Sequence, residues 1–112
     1  MTKKYTHDVI FCIVNSGFSE AVMDAAKKGG ARGGTVINAR GTGAKEAEAF
    51  FGVTVDPEKE IVMIGAPAAD RDKILQNLYD DVGLNSAGQG IAFSLPVDGT
   101  VGLTPPAEKK ED

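Results

Sequence analysis

A chain of 112 residues with 42% hydrophobic and 25% charged residues has the makeup of one globular domain able to bury a core. Its net charge of −4 provides no basic surface for a nucleic-acid backbone, although a mononucleotide needs only a local site. No apolar run approaches a membrane span, and the basic N-terminus lacks an apolar segment leading to a cleavage site, so a cytoplasmic location is expected.

In chain order, Val9–Val14 is a near-continuous apolar run of strand length, as in a strand central to a sheet. Cys12 lies inside it; as the only cysteine it has no internal disulfide partner and reads as a buried structural thiol. His7 precedes this strand without a second histidine, and is given no catalytic role. Asn15-Ser16-Gly17 breaks the strand, and Ser16 or Ser19 is expected to cap a helix that Glu20 favours through the macrodipole. Phe18, Val22, Ala25 and Ala26 fall on one helical face, and Lys27-Lys28-Gly29-Gly30 closes the helix with cations and glycine.

Thr35–Arg40, rich in β-branched residues, predicts a second strand framed by Gly33-Gly34 and Gly41-Thr42-Gly43. A Gly-X-Gly after a strand marks either a simple turn or a place where a phosphate or adenine approaches the backbone. The segment 44–55 is helix-prone at first and β-prone at its end, so a mobile excursion or a short turn into a strand extension is expected. Its charge run, with Lys45, reads as a solvated face. Adjacent Phe50 and Phe51 cannot both enter one core, so one is expected against a neighbouring subunit or partner.

Asp56-Pro57 predicts a turn, and Glu60–Ile64 a third strand. Asp70 is a fair N-cap for a helix whose Ile74, Leu75, Leu78 and Val82 form an apolar stripe. A second glycine loop, ending Gly88-Gln89-Gly90, leads into a fourth strand, Ile91–Leu95, limited by Pro96. Asp98-Gly99 reads as a turn into Val101–Leu103. Residues 1–104 are thus one domain, and 105–112 a disordered-looking tail.

The order β-α-β-loop-β-α-β predicts an α+β, ferredoxin-like βαββαβ sandwich: a four-stranded antiparallel sheet with two helices on one face. Two helices cannot cover both faces of such a sheet, so the pattern predicts an oligomer in which other copies cover the second. No catalytic set emerges. Gly41-Thr42-Gly43-Ala44-Lys45 lacks P-loop spacing, no GxGxxG follows a strand, and one histidine with one buried cysteine assembles no nucleophile. The two glycine loops can meet across a subunit boundary and offer backbone N–H groups to an anion. This is a binding protein in outline, not an enzyme.

Thr35-Val36 leading into Gly41-Thr42-Gly43, the excursion, the Glu60–Ile64 strand, the second helix and Gly88-Gln89-Gly90-Ile91-Ala92-Phe93 together resemble the P-II nitrogen-regulatory signalling family. The likeness runs from about Asp8 to Leu103 and rests on order and spacing. It implies a homotrimer with an adenine nucleotide as effector (ATP, ADP or AMP) in each inter-subunit cleft. It also implies regulation of a partner, a membrane transporter or an enzyme, through the loop 44–55. By resemblance, Thr35 meets the adenine side, while Gly41, Thr42 and Gly43 form the base of the signalling loop. Gly88, Gln89 and Gly90 form the phosphate-facing loop of the adjacent subunit, and Lys45, Phe50 and Phe51 belong to the partner-binding loop.

The chain also departs from the family. Ile91 stands where a lysine usually follows the glycine loop, and Gly102 and Thr104 where the last strand has two arginines. Lys45 replaces a glutamine that helps hold magnesium and 2-oxoglutarate, and Phe50 replaces the modified tyrosine. Each lost charge-assisted hydrogen bond is worth about 1.5–3 kcal/mol, so ATP affinity through those contacts should fall by orders of magnitude. Lys45, Arg40 and Arg32 are the cations available to compensate. Two alternatives stand beside this reading: a metal-responsive trimer of the same fold using His7, Cys12 and carboxylates, and an oligomer that keeps the fold without a nucleotide site. A small phosphatase-type enzyme of this fold would need an arginine cradle where the chain has Asn15-Ser16-Gly17.

Overall fold

The apolar run around Ile10 becomes β1, His7–Asn15, a central strand of a four-stranded antiparallel sheet. A computed structural model describes residues 5–41 and 57–102. After β1 come α1 (Ser19–Lys28), β2 (Thr35–Arg40), β3 (Glu58–Pro67), a single 3-10 turn (Ala68–Asp70), α2 (Arg71–Val82) and β4 (Ile91–Val97). The strand order β2-β3-β1-β4 is the expected ferredoxin-like arrangement, with β2 and β4 at the edges. The expected tail, 105–112, and the excursion 44–55 lie outside the described residues.

Two strands run longer than their apolar runs. β1 starts at His7 and β3 continues to Pro67 because the ladder pairs His7 with both Pro67 and Val97. Within that extension Asp8 is buried, and Arg71 at the start of α2 donates to it at 3.3 Å. Pro96 lies within β4 opposite Asp8, tolerated because β4 is an edge strand with one free side.

Strand alternation sorts the side chains. Ile10, Cys12 and Val14 of β1 with Val62, Ile64 and Ala66 of β3 point to one face. There they meet Val22, Ala25 and Ala26 of α1 and Ile74, Leu78 and Val82 of α2, which form the core. Burial at this density removes the Cys12 thiol from water and pushes its pKa up to about 11.

The helix ends explain themselves differently from the sequence expectation. Neither Ser16 nor Ser19 caps α1; the N-cap position is Phe18, without a side-chain bond. Glu60 of β3 does the work instead: its Oε1 accepts from the N–H groups of Gly17 at 3.1 Å and Ser19 at 3.0 Å. A carboxylate there also complements the positive end of the helix dipole. Asp70 holds the N-cap position of α2 and likewise makes no side-chain cap bond. The C-terminus of α1 follows the glycine signal closely. Gly30, at φ +114°, donates to the Lys27 carbonyl at 3.0 Å and Ala31 donates to Ala26 at 3.1 Å, a Schellman closure.

Two consequences can be measured. Replacing Glu60→Ala leaves the first turn of α1 uncapped and should cost about 1 kcal/mol in chemical denaturation, within the range of N-cap deletions. An unchanged midpoint would assign the capping elsewhere. For Cys12, burial favours the neutral thiol, so its contribution to stability is complete below its ordinary value of 9.0 and lost as pH rises through about 11. Thiol alkylation at pH 8 should therefore require denaturant; rapid labelling of the native protein would contradict the buried placement.

Candidate ligand site

The face of the sheet opposite the helices is apolar across all four strands. Val9, Phe11 and Ile13 of β1 stand between Ile61 and Met63 of β3 and Ile91, Phe93 and Leu95 of β4 in the pairing register. Ile37 adds to it from β2, opposite Ile61. Phe11 and Phe93 stack directly, with centroids 5.5 Å apart. Ile37, Ile91, Phe93 and Leu95 remain between 41% and 49% exposed on this face.

The predicted site residues fall at the two ends of this sheet. Thr35 opens β2 and lines a cavity of about 720 Å³ built where β1 begins and β3 and β4 end. Its floor carries Val9, Met63 and Val97, and its walls come from the connections 30–34 and 99–102. That volume is ample for a mononucleotide or a smaller organic anion. Arg32, His7 and Thr100 also line it. The sequence names Arg32 only as a spare cation and His7 only as a metal ligand in the alternative reading, because the register that folds both toward Thr35 is not a local signal.

Gly41 and the Gly88-Gln89-Gly90 loop lie at the other end. Gly41 donates to the Pro57 carbonyl at 3.2 Å, and Asn15 at the end of β1 donates to Gly88 at 2.9 Å. The Asn15 side chain joins the same contact, giving a hydrogen bond to the Ala87 carbonyl at 3.1 Å and accepting one from Lys59 at 2.7 Å. In this loop the Gln89 N–H is committed to Ser86 at 3.1 Å and the Gly90 N–H to Val82 at 2.7 Å. Gln89 sits at φ 48°, and a Cβ on Gly90 would fall 2.5 Å from the Val82 carbonyl oxygen. Within one chain, then, Thr35, opposite Met63 in the middle of β3, is separated from Gly41 by the length of β2 and from Gly88–Gly90 by the two central strands. Thr42, Gly43, Lys45, Phe50 and Phe51 lie outside the described residues.

Among the described residues, no three of His, Cys, Asp and Glu gather as a metal ion would require. Among them too, no helix is long and apolar enough to cross a membrane. The site as drawn can bind and position a small molecule; it presents no nucleophile with a base.

Comparison with known proteins agrees with this architecture. A family model, nitrogen regulatory protein P-II, matches residues 8–105. No curated protein matches in sequence. Among solved structures, a Bacillus subtilis GlnK–ATP complex superposes with a TM-score of 0.67 at 16% identity, covering 89% of this chain and 89% of that one. Arabidopsis thaliana PII bound to citrate gives 0.64 at 21% identity, over 84% of this chain and 77% of the other. A DUF3240 family protein from Shewanella baltica gives 0.66 at 16% identity, over 90% and 100% respectively.

The loop geometry can be tested on stability alone. Gly90→Ala forces the new methyl against the Val82 carbonyl and should destabilise by about 1–3 kcal/mol, the range of overpacked sites. Gln89→Gly relieves a left-handed residue and should be neutral or stabilising by up to about 1 kcal/mol. Thermal denaturation of both variants measures this, and the reverse order would refute the loop conformation.

Proposed function

The chain belongs to the nitrogen regulatory protein P-II family, a family of signalling regulators rather than enzymes, and from that premise we propose a ligand-responsive homotrimer. An adenine nucleotide (ATP, ADP or AMP) occupies the cleft between subunits, with Thr35 on its adenine side and Gly88–Gly90 of the neighbour facing its phosphates. The loop 44–55, with Lys45, Phe50 and Phe51, then presents the bound state to a transporter or an enzyme. Gly41, Thr42 and Gly43 form the base of that loop.

The observation that carries this reading is the uncovered apolar face running into the Thr35 cavity. A second copy packed on Ile37, Ile91, Phe93 and Leu95 removes that surface from water, at about 25 cal/mol per Å² buried. The same packing is what would bring a neighbour's loop toward Thr35, which in a single chain lies on the opposite edge strand from its own glycine loop. The similar structures offer two ligand chemistries, ATP in the GlnK complex and citrate in the Arabidopsis protein. Both are anions, and both suit a cleft without a catalytic group.

Light scattering after size exclusion, combined with calorimetric titration of ATP, ADP and AMP, tests the proposal. A three-chain mass and one adenylate bound more tightly than millimolar are expected. A monomer at micromolar concentration, or a trimer indifferent to all three adenylates, would overturn the assembly and the nucleotide reading respectively.

A further inference from the structure

Asn15, the last residue of β1, lies between two segments that the sequence keeps far apart. On one side the ladder sets it opposite Lys59, where the chain returns to the sheet after segment 42–56. The described flanks of that segment are joined by the Gly41 N–H and the Pro57 carbonyl at 3.2 Å, and a Cβ on Gly41 would meet the Lys59 stem at 3.9 Å. On the other side, pairing of β1 with β4 stops at Ile13 and Ile91, so the neighbour of Asn15 there is the glycine loop. The Asn15 N–H donates to the Gly88 carbonyl at 2.9 Å and extends the ladder into that loop.

The Asn15 side chain bridges the two segments. Its Oδ1 accepts from the Lys59 ammonium at 2.7 Å, and its Nδ2 donates to the Ala87 carbonyl at 3.1 Å. An ammonium has donors alone and a carbonyl oxygen accepts alone, so each end of the amide meets the one kind of partner it can use. Turning the amide over would set N–H against ammonium and oxygen against oxygen; the two neighbours therefore lock one orientation. The three donors of an ammonium serve Asn15 together with the further interaction that Lys59 makes. A cation on Oδ1 also polarises the amide and strengthens the bond that Nδ2 gives to Ala87.

What the bridge holds is a strained loop. Gln89 sits at φ 48°, and a left-handed residue with a side chain persists only where the surrounding bonds over-determine it. Here those bonds are Gln89 N–H to Ser86, Gly90 N–H to Val82 and the two that Asn15 supplies. We propose that Asn15 is a positioning residue that couples Lys59, on the returning flank of segment 42–56, to the loop around Gly88–Gly90 within one subunit. The Lys59 charge sets the amide and the amide sets the loop; by reciprocity, a change at the loop is registered at Lys59. Glu60, the next residue, faces the helices, where it caps α1, and is not part of the bridge.

The coupling gives the proposed adenylate site a route to segment 42–56 and rests on that reading only for this consequence; the bridge itself is tested without ligand. Amide hydrogen exchange by NMR, read at Gln89, Gly90 and the core residue Val62, compares the wild type with Lys59→Met, Lys59→Arg, Asn15→Ala and the double variant Asn15→Ala/Lys59→Met. Expected is faster exchange at Gln89 and Gly90 in Lys59→Met by at least about threefold, the lower end of coupling between interacting neighbours, with Val62 unchanged. Lys59→Arg restores the protection, and in the Asn15→Ala background Lys59→Met adds nothing. Asn15→Leu, of similar size and without polar atoms, serves as the background if Asn15→Ala does not fold. Unchanged loop exchange in Lys59→Met overturns the inference, as does the same acceleration with and without the Asn15 amide. Equal acceleration at Val62 overturns it too, because Lys59 would then only support the fold. Titration with ADP keeps the two readings apart: if ADP does not bind, the adenylate reading fails and the exchange comparison still decides the bridge. If ADP binds and the exchange comparison fails, the bridge falls and the adenylate reading stands.

Discussion

Everything in this structure follows from a shortage of cover. Two helices cover the two central strands on one face, with a core in which Ile10, Ile64 and Ile74 are fully buried. The other face has apolar residues too, and among the described residues no element lies over them. Even the edge strand β2 is mostly exposed along its length, because neither helix reaches it. Isoleucine, phenylalanine and leucine kept on such a face are what the proposed assembly would cover. The cavity at Thr35 lies at the rim of that same face, so the proposed assembly and ligand recognition would share one surface.

The first residues of β3 tie the opposite end together. Pro57 accepts from Gly41, Glu58 accepts from Ser16, Lys59 reaches Asn15, and Glu60 caps α1 through Gly17 and Ser19. Asn15 in turn binds the carbonyls of Ala87 and Gly88. Residues 57–60 are therefore hydrogen-bonded, directly or through one side chain, to the ends of β1 and β2, the start of α1 and the loop before β4. A displacement of any one of these connections is felt at the point where the chain returns to the sheet, and side-chain networks of this kind respond as a unit.

How much of this was legible in the sequence depended on whether the governing interaction was local. The α2 stripe, the strand at Thr35–Arg40 and the closure of α1 at Gly29-Gly30 were readable because periodicity and glycine chemistry act over a few residues. The cap of α1 was not. Glu60 is 41 residues from Ser19, and only the pairing of β1 with β3 brings its carboxylate to that helix. The ends of β1 and β3 were missed for a related reason: His7 and Pro67 are polar or conformationally restricted, yet each is held by a cross-strand partner. At the site, Thr35 was named through the resemblance to the P-II family. Arg32 and His7 join it only through the tertiary fold, which gathers the start of β1, the connection before β2 and the segment after β4 around one cavity.

The departures from the family pattern acquire a physical meaning in this frame. Where a lysine would follow the glycine loop, the chain has Ile91, and the ladder places Ile91 opposite Ile13 on the uncovered face. Charge useful to a phosphate has been exchanged there for apolar surface useful to a neighbouring subunit. A lysine at that position would carry its ammonium onto an apolar interface, where desolvation opposes burial unless a ligand oxygen pairs with it. In the proposed assembly isoleucine removes that dependence, so contacts between copies would not require an occupied cleft at this point. By linkage, coupling between ligand and assembly in the proposed trimer would then pass through groups on the cavity side, which Arg32 lines.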